Sequence, residues 1–273
     1  MRNRRKVRDD APAWAVLLAL AAPAAALAQE REAPPPITER AAAALADGRL
    51  TPERDRALAL VLELGPRAGP ELRAAVIAAV AAELSGETNR PKESEAVFTY
   101  LEAVAQLRDP QAVPVLVEAL PFGAGAANAL ADLSPGSFPA VLEAVANPGE
   151  RPDRVGNGLT ALRFMLEDGS LSEQQIALVR ELVRDRLAGT HHHSVVSVAI
   201  RLALALGDLE SRQTVERLAA DRTAVEALVS PYLSDGVTPS RSHQRRIDGV
   251  QERARALLSG ASFPPHRRPF PHR

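Results

Sequence analysis

The chain interrupts its apolar helical runs again and again with short polar or proline-bearing breaks, and few folds tolerate that. Leu64-Gly65-Pro66, Leu107-Arg108-Asp109-Pro110, Leu133-Ser134-Pro135, Asp168-Gly169-Ser170-Leu171 and Leu206-Gly207-Asp208-Leu209 each close an apolar stretch. Counted from positions 64, 107, 133, 168 and 206, the intervals are 43, 26, 35 and 38 residues. A helix of three or four turns with one apolar stripe gains little stability by itself. An array of helical pairs, each covering the exposed face of the next, solves that problem, and irregular spacing of this size indicates diverged pairs.

Local signals agree. Thr51-Pro52-Glu53 supplies a capping hydroxyl, a proline at the first helical position and an acid near the positive end of the helix dipole. The helix behind it stops at Gly65-Pro66, and Leu72, Val76, Ile77, Val80 and Leu84 then form one buried stripe at three- and four-residue spacing. Asp109-Pro110 opens another helix. Ser172 with Gln175, and Thr223 with Glu226, have capping-box spacing. The last expected helix covers about Gln244 to Leu258, which makes thirteen short helices in all. Gly123-Ala124-Gly125 and Gly156-Asn157-Gly158 read as helix-start punctuation, because they lack the strand–turn–helix context of a nucleotide loop.

Composition supports helices over strands. Aromatic residues make up 3% of the chain, and Ala and Leu, good helix formers that allow close packing, dominate its 46% hydrophobic fraction. The absence of cysteine excludes disulfides, thiolate metal sites and a thiol nucleophile.

Asp109-Pro110-Gln111-Ala112-Val113-Pro114-Val115-Leu116, then Ala129-Leu130-Ala131-Asp132-Leu133 and Pro139-Ala140-Val141-Leu142, resembles the HEAT-repeat pattern. In that family an Asp opens the first helix, a Pro bends it, and Ala-Leu pairs mark the second. Ala203-Leu204-Ala205-Leu206-Gly207-Asp208-Leu209 looks like the end of a second helix and its turn. The resemblance is clearest over 105–220 and thinner over 38–104. It implies an all-α solenoid of stacked antiparallel helical pairs, with a long concave surface that holds protein partners. It is nearly silent on mechanism.

The N-terminus has a separate character. Arg2, Arg4, Arg5, Lys6 and Arg8 precede an apolar run from Ala13 to Ala28 that ends in Ala26-Leu27-Ala28, the order of a secretory signal peptide. The domain expectation is therefore a signal peptide over 1–28, a Pro-rich linker over 29–37 around Pro34-Pro35-Pro36, a helical repeat domain over 38–259 and a Pro/His/Arg tail over 260–273. The localisation expected is periplasmic or secreted, with an uncleaved anchor as the alternative and no membrane span after cleavage.

Charge is uneven. Residues 29–238 hold 20 Lys and Arg against 30 Asp and Glu, whereas residues 239–273 hold 8 Arg against Asp248 and Glu252. Arg241, Arg245, Arg246, Arg253 and Arg255 are the candidate partner-binding residues, suited to an anionic surface or an acidic partner. The acidic body and scarce aromatics disfavour nucleic acid.

His191-His192-His193 is the weak metal candidate; adjacent helical positions diverge in direction, so a polar first turn before Val195 is the plainer reading. No catalytic constellation and no cofactor motif is present. The functional expectation is an exported, non-catalytic interaction scaffold. The alternatives are an enzyme or enzyme subunit on such a frame, as the chromophore-lyase relatives of these repeats suggest, and a tether to an anionic surface through the basic segment.

Overall fold

The computed structural model describes residues 36–47, 51–85, 94–147, 151–229 and 241–260; side chains of 94–98 and 241 are outside the description. The leader expected over 1–28, the linker expected over 29–37 except residues 36 and 37, and the tail expected over 260–273 except Gly260 lie outside the described residues; Ile37, placed in the linker, opens the first helix. The chain divides into Met1–Ile37 and Thr38–Arg273, and the helices belong to the second unit.

Thirteen α-helices are described. They are α1 (Ile37–Ala46), α2 (Pro52–Leu64), α3 (Pro70–Ser85), α4 (Ser94–Leu107), α5 (Val113–Glu118), α6 (Ala124–Asp132) and α7 (Phe138–Ala146). They continue with α8 (Pro152–Glu167), α9 (Glu173–Arg186), α10 (His193–Leu206), α11 (Leu209–Ala220), α12 (Arg222–Leu228) and α13 (Arg241–Leu258). The only β feature among the described residues is one bridge between His191 and Val229.

The helices end where the chemistry of the breaks says they should. The Thr51 hydroxyl accepts from Arg54 N–H, and Gly65 closes α2 at φ 51°. Gly207 takes the left-handed conformation at the end of α10. Ser172 and Gln175 form the reciprocal capping box of α9. The second capping box does not form. Asp221, not Thr223, caps α12 by accepting from Thr223 N–H, and Glu226 pairs instead with Arg222. A carboxylate is favoured at the positive helix end, and it sits one residue before the helix starts.

Neighbours in sequence pack together, as do helices one pair apart. The pairs are α3 with α4, α5 with α6, α7 with α8, α9 with α10, and α11 with α13. The second helices form a continuous layer in which α2, α4, α6, α8, α10 and α13 each pack on the next, while α3, α5 and α7 run as a first-helix layer. One apolar core runs through both layers, with Val61, Val76, Leu116, Leu130, Val145, Leu162, Ile200, Val215 and Val250 fully buried or nearly so.

Arginines clasp successive pairs; of the chain's 33 basic residues 31 are Arg. Arg73 of α3 reaches Asp109 ahead of α5, and Arg180 of α9 reaches Asp208 ahead of α11, at 3.4 and 3.1 Å. Asp109 also caps the 3-10 turn Pro110–Ala112 that leads into α5, and Asp208 caps α11, through Gln111 N–H and Ser211 N–H at 2.9 Å. Arg154 of α8 pairs with Glu118 of α5, and buried Arg186 of α9 donates to the Val145 carbonyl at the end of α7. A guanidinium has the reach and the fork to do this where an ammonium does not.

Two sequence readings are corrected here. Gly156 and Gly158 are not punctuation. Helix α8 begins at Pro152, so both lie inside its first turns, and a Cβ at Gly158 would stand 2.2 Å from Val145 Cγ1. The last helix, expected from about Gln244, begins three residues earlier: α13 starts at Arg241 and buries Ile247, Val250 and Ala254 against α10, α11 and α12. Removing everything after 238 would therefore strip a core helix from the fold.

Candidate functional site

The second-helix layer covers most of each of its helices and leaves narrow open strips. On α8 the strip is Asp153, Asn157, Thr160, Arg163 and Glu167, at three- and four-residue spacing. The equivalent strip on α10 carries Ser194, Ser197 and Arg201, and that on α13 carries Arg246 and Arg253. Because α8, α10 and α13 are consecutive in the layer, their strips lie side by side.

The result is a basic stripe across three helices. Arg163 is mostly covered, pairs with Glu167 at 3.0 Å and lies 4.6 Å above the Phe164 ring. Arg201 stands between its neighbours: burial first, then the Arg253 and Arg163 guanidinium groups, lower its pKa from the ordinary value. Three like charges from three helices are thus held close enough to repel, an arrangement that favours a bound anion.

Toward the start of α10 the stripe continues into the histidines. His192 is the N-cap: its Nδ1 accepts from Ser194 N–H at 3.4 Å and lies 2.6 Å from the Ser194 hydroxyl oxygen. The His192 and His193 ring centroids are 4.1 Å apart. Burial and then Arg246 lower the His192 pKa against the pull of Asp153, and burial, His192 and Arg246 lower that of His193. His191 faces elsewhere. Its N–H donates to the Leu228 carbonyl at 2.7 Å, and burial and Arg186 depress its ring.

The three adjacent histidines therefore divide: His192 and His193 share one setting, and His191 has another. Among the described residues no group of three or more His, Asp or Glu side chains is placed to hold a metal ion.

The five arginines proposed from sequence separate in the same way. Arg246 and Arg253 join the stripe. Arg255 donates Nε to the Ala219 carbonyl at 2.8 Å and clasps α13 to α11. Arg245 is exposed on the other side of α13, and the side chain of Arg241 lies outside the described residues. Sequence reasoning missed Arg163 and Arg201. They are isolated cations on amphipathic helices, and only the packing of α8, α10 and α13 aligns them with Arg253.

Two open grooves lie between first helices. One, of about 400 Å³, is lined by Ile77, Ala81, Leu84, Pro114, Val115 and Glu118. The other, of about 150 Å³, lies between α9 and α11 beside Arg180, Arg184, Glu210 and Arg217. Neither brings together an acid–base pair and a nucleophile. Among the described residues no helix is long and apolar enough to cross a membrane. No family model, curated protein or solved structure matches the chain.

Proposed function

We propose that this chain is a non-catalytic scaffold of HEAT-like helical pairs, working outside the cytoplasm, that holds an acidic segment of a protein partner on its second-helix layer. The repeat reading is supported by the two-layer packing and by the aspartate that both caps the turn or helix it precedes and takes an arginine from the preceding pair, at Asp109 and again at Asp208. The export reading rests on the basic-then-apolar order of residues 2–28.

The observation that carries the partner's chemistry is the stripe of Arg163, Arg201 and Arg253 on three adjoining helices, within a body whose net charge is negative. A carboxylate-bearing segment laid across the layer relieves the mutual repulsion and receives bidentate hydrogen bonds. The test is fluorescence anisotropy of the full chain with a labelled oligoglutamate peptide, set against an oligolysine peptide. Binding should be selective for oligoglutamate, should weaken as salt rises, and should fall about tenfold or more in R163Q/R201Q/R253Q. Equal affinity of the triple variant and the wild-type chain would overturn the proposal.

A further inference from the structure

The start of α10 holds two histidines in a setting that favours their neutral forms. His192 caps the helix with Nδ1 as acceptor, which a protonated ring cannot do. Both rings sit at the positive end of the helix dipole, where an added cation is unfavourable. His193 buries its Nδ1 with no hydrogen-bond partner among the described residues, and its ring lies 4.1 Å from that of His192. Helix α13 packs on α10, and the charge of its Arg246 acts on both rings.

We propose that His192 and His193 form a pH-sensitive latch between α10 and α13: neutral, they let α13 seat on α10, and protonated, they drive its Arg246 end away.

The groups acting on the pair can be named element by element. Helix α8 brings Asp153, which favours protonation of His192, and α13 brings Arg246, which opposes it for both rings. Arg186 of α9 acts on His191 rather than on the pair, and among the described residues no charged group of α11 or α12 acts on either ring. His243, on the first turn of α13, is the other histidine on that helix end, and it is buried; Arg245 there is exposed, and Asp248 pairs with Arg222.

The folded pKa of each ring lies below its unfolded value of about 6.5. The unfolded or opened state therefore binds more protons in that window. The latch is closed at pH above about 6.5 and loses stability as pH falls from there toward the folded pKa. The consequence is local, because α13 is the last described helix and packs on α10, α11 and α12. The latch follows from the histidine geometry and does not depend on the acidic-partner reading. That reading fails in a peptide-binding assay, and this one fails in an exchange assay without peptide.

The test is amide hydrogen exchange of the full chain at pH 7.5 and 5.5, corrected for intrinsic exchange, on peptides covering 193–199 and 242–250. Protection of both should drop at the lower pH, by at most about tenfold for each ring, because pH 5.5 lies about one unit below the ordinary value of about 6.5. In H192N/H193Q, where Asn keeps a capping acceptor, the drop should disappear while protection at pH 7.5 stays near that of wild type. Equal protection of wild type at the two pH values overturns the latch, as does an undiminished drop in the double variant. If the double variant does not fold, NMR titration of the wild-type rings decides: values below about 6.5 for both support the latch, and ordinary values refute it.

Discussion

Replacing Gly158 with Ala should destabilise the protein, although the same exchange in a helix is usually favourable. Alanine ordinarily gains about 0.5–1 kcal/mol over glycine in a helix interior. At Gly158 the new methyl would stand 2.2 Å from Val145 Cγ1 and 3.7 Å from Leu120 Cδ1. Carbon atoms sit comfortably at about 3.5–4.0 Å, so α7 and α8 must separate by more than an ångström locally or Val145 must leave its rotamer. Neither is cheap: Val145 and Leu120 are completely buried, and α8 is also packed on α6 and α10. Overpacking of this kind costs about 1–3 kcal/mol, which exceeds the helix gain.

Gly156 is the internal control. It lies in the same helix turn, and a Cβ there meets nothing within 4 Å. Gly156→Ala should stabilise by about 0.5–1 kcal/mol, so the two variants should move in opposite directions. Urea unfolding followed by far-UV circular dichroism measures both, as midpoint shifts at unchanged slope. A Gly158→Ala midpoint at or above that of wild type would refute the close-approach argument. A loss of stability in both variants would show that something other than the Val145 contact governs the start of α8.

Other consequences are equally direct. Asp208→Ala removes the α11 cap and the Arg180 partner together and should cost about 1–2 kcal/mol at pH 7. Burial opposes the charged form of Asp208, but the Ser211 backbone, Arg180 and the Ser211 hydroxyl together hold its pKa below the ordinary value. Its contribution is therefore present above about pH 3.9 and lost as pH falls through the folded value, so unfolding at pH 7 and pH 3 should show the variant's deficit shrinking in acid. Arg54 is 2% exposed, stacks 4.5 Å over Tyr100, and buries Nε and Nη1 with no hydrogen-bond partner among the described residues. Arg54→Met should be neutral or stabilising, whereas Arg54→Ala should lose about 2–4 kcal/mol by opening a cavity; thermal denaturation separates the two. Ser172→Ala should cost about 1 kcal/mol and raise exchange in the first turn of α9, because it breaks the reciprocal pair with Gln175.

Much of the helical layout was legible from local chemistry. Thr51, Asp109 and Ser172 cap helical turns in the structure as their positions suggested, and Gly65 and Gly207 take the positive φ that ends a helix; the Asp208 cap of α11 reads in the sequence only as a turn. These signals operate within one turn of chain, so they survive without knowledge of neighbours. Thr223 was misread because Asp221, two residues earlier, competes for the same backbone and wins on charge. Of the candidate partner residues, Arg246 and Arg253 join the stripe, and Arg255 proves to be a clasp to Ala219. Side-chain direction across a helix pair was the missing information.

By itself, the sequence determined that the chain is helical, where most helices start and stop, and which faces are apolar. Capping, backbone restriction at Pro and Gly, and three-to-four spacing are all local properties. Only the tertiary structure decided which helices adjoin. That choice turned Gly158 from a break into a contact, drew α13 into the core, and set Arg163, Arg201 and Arg253 beside one another. Packing makes these assignments because charge and close contact act through space, between residues as much as ninety positions apart, where no local pattern records them.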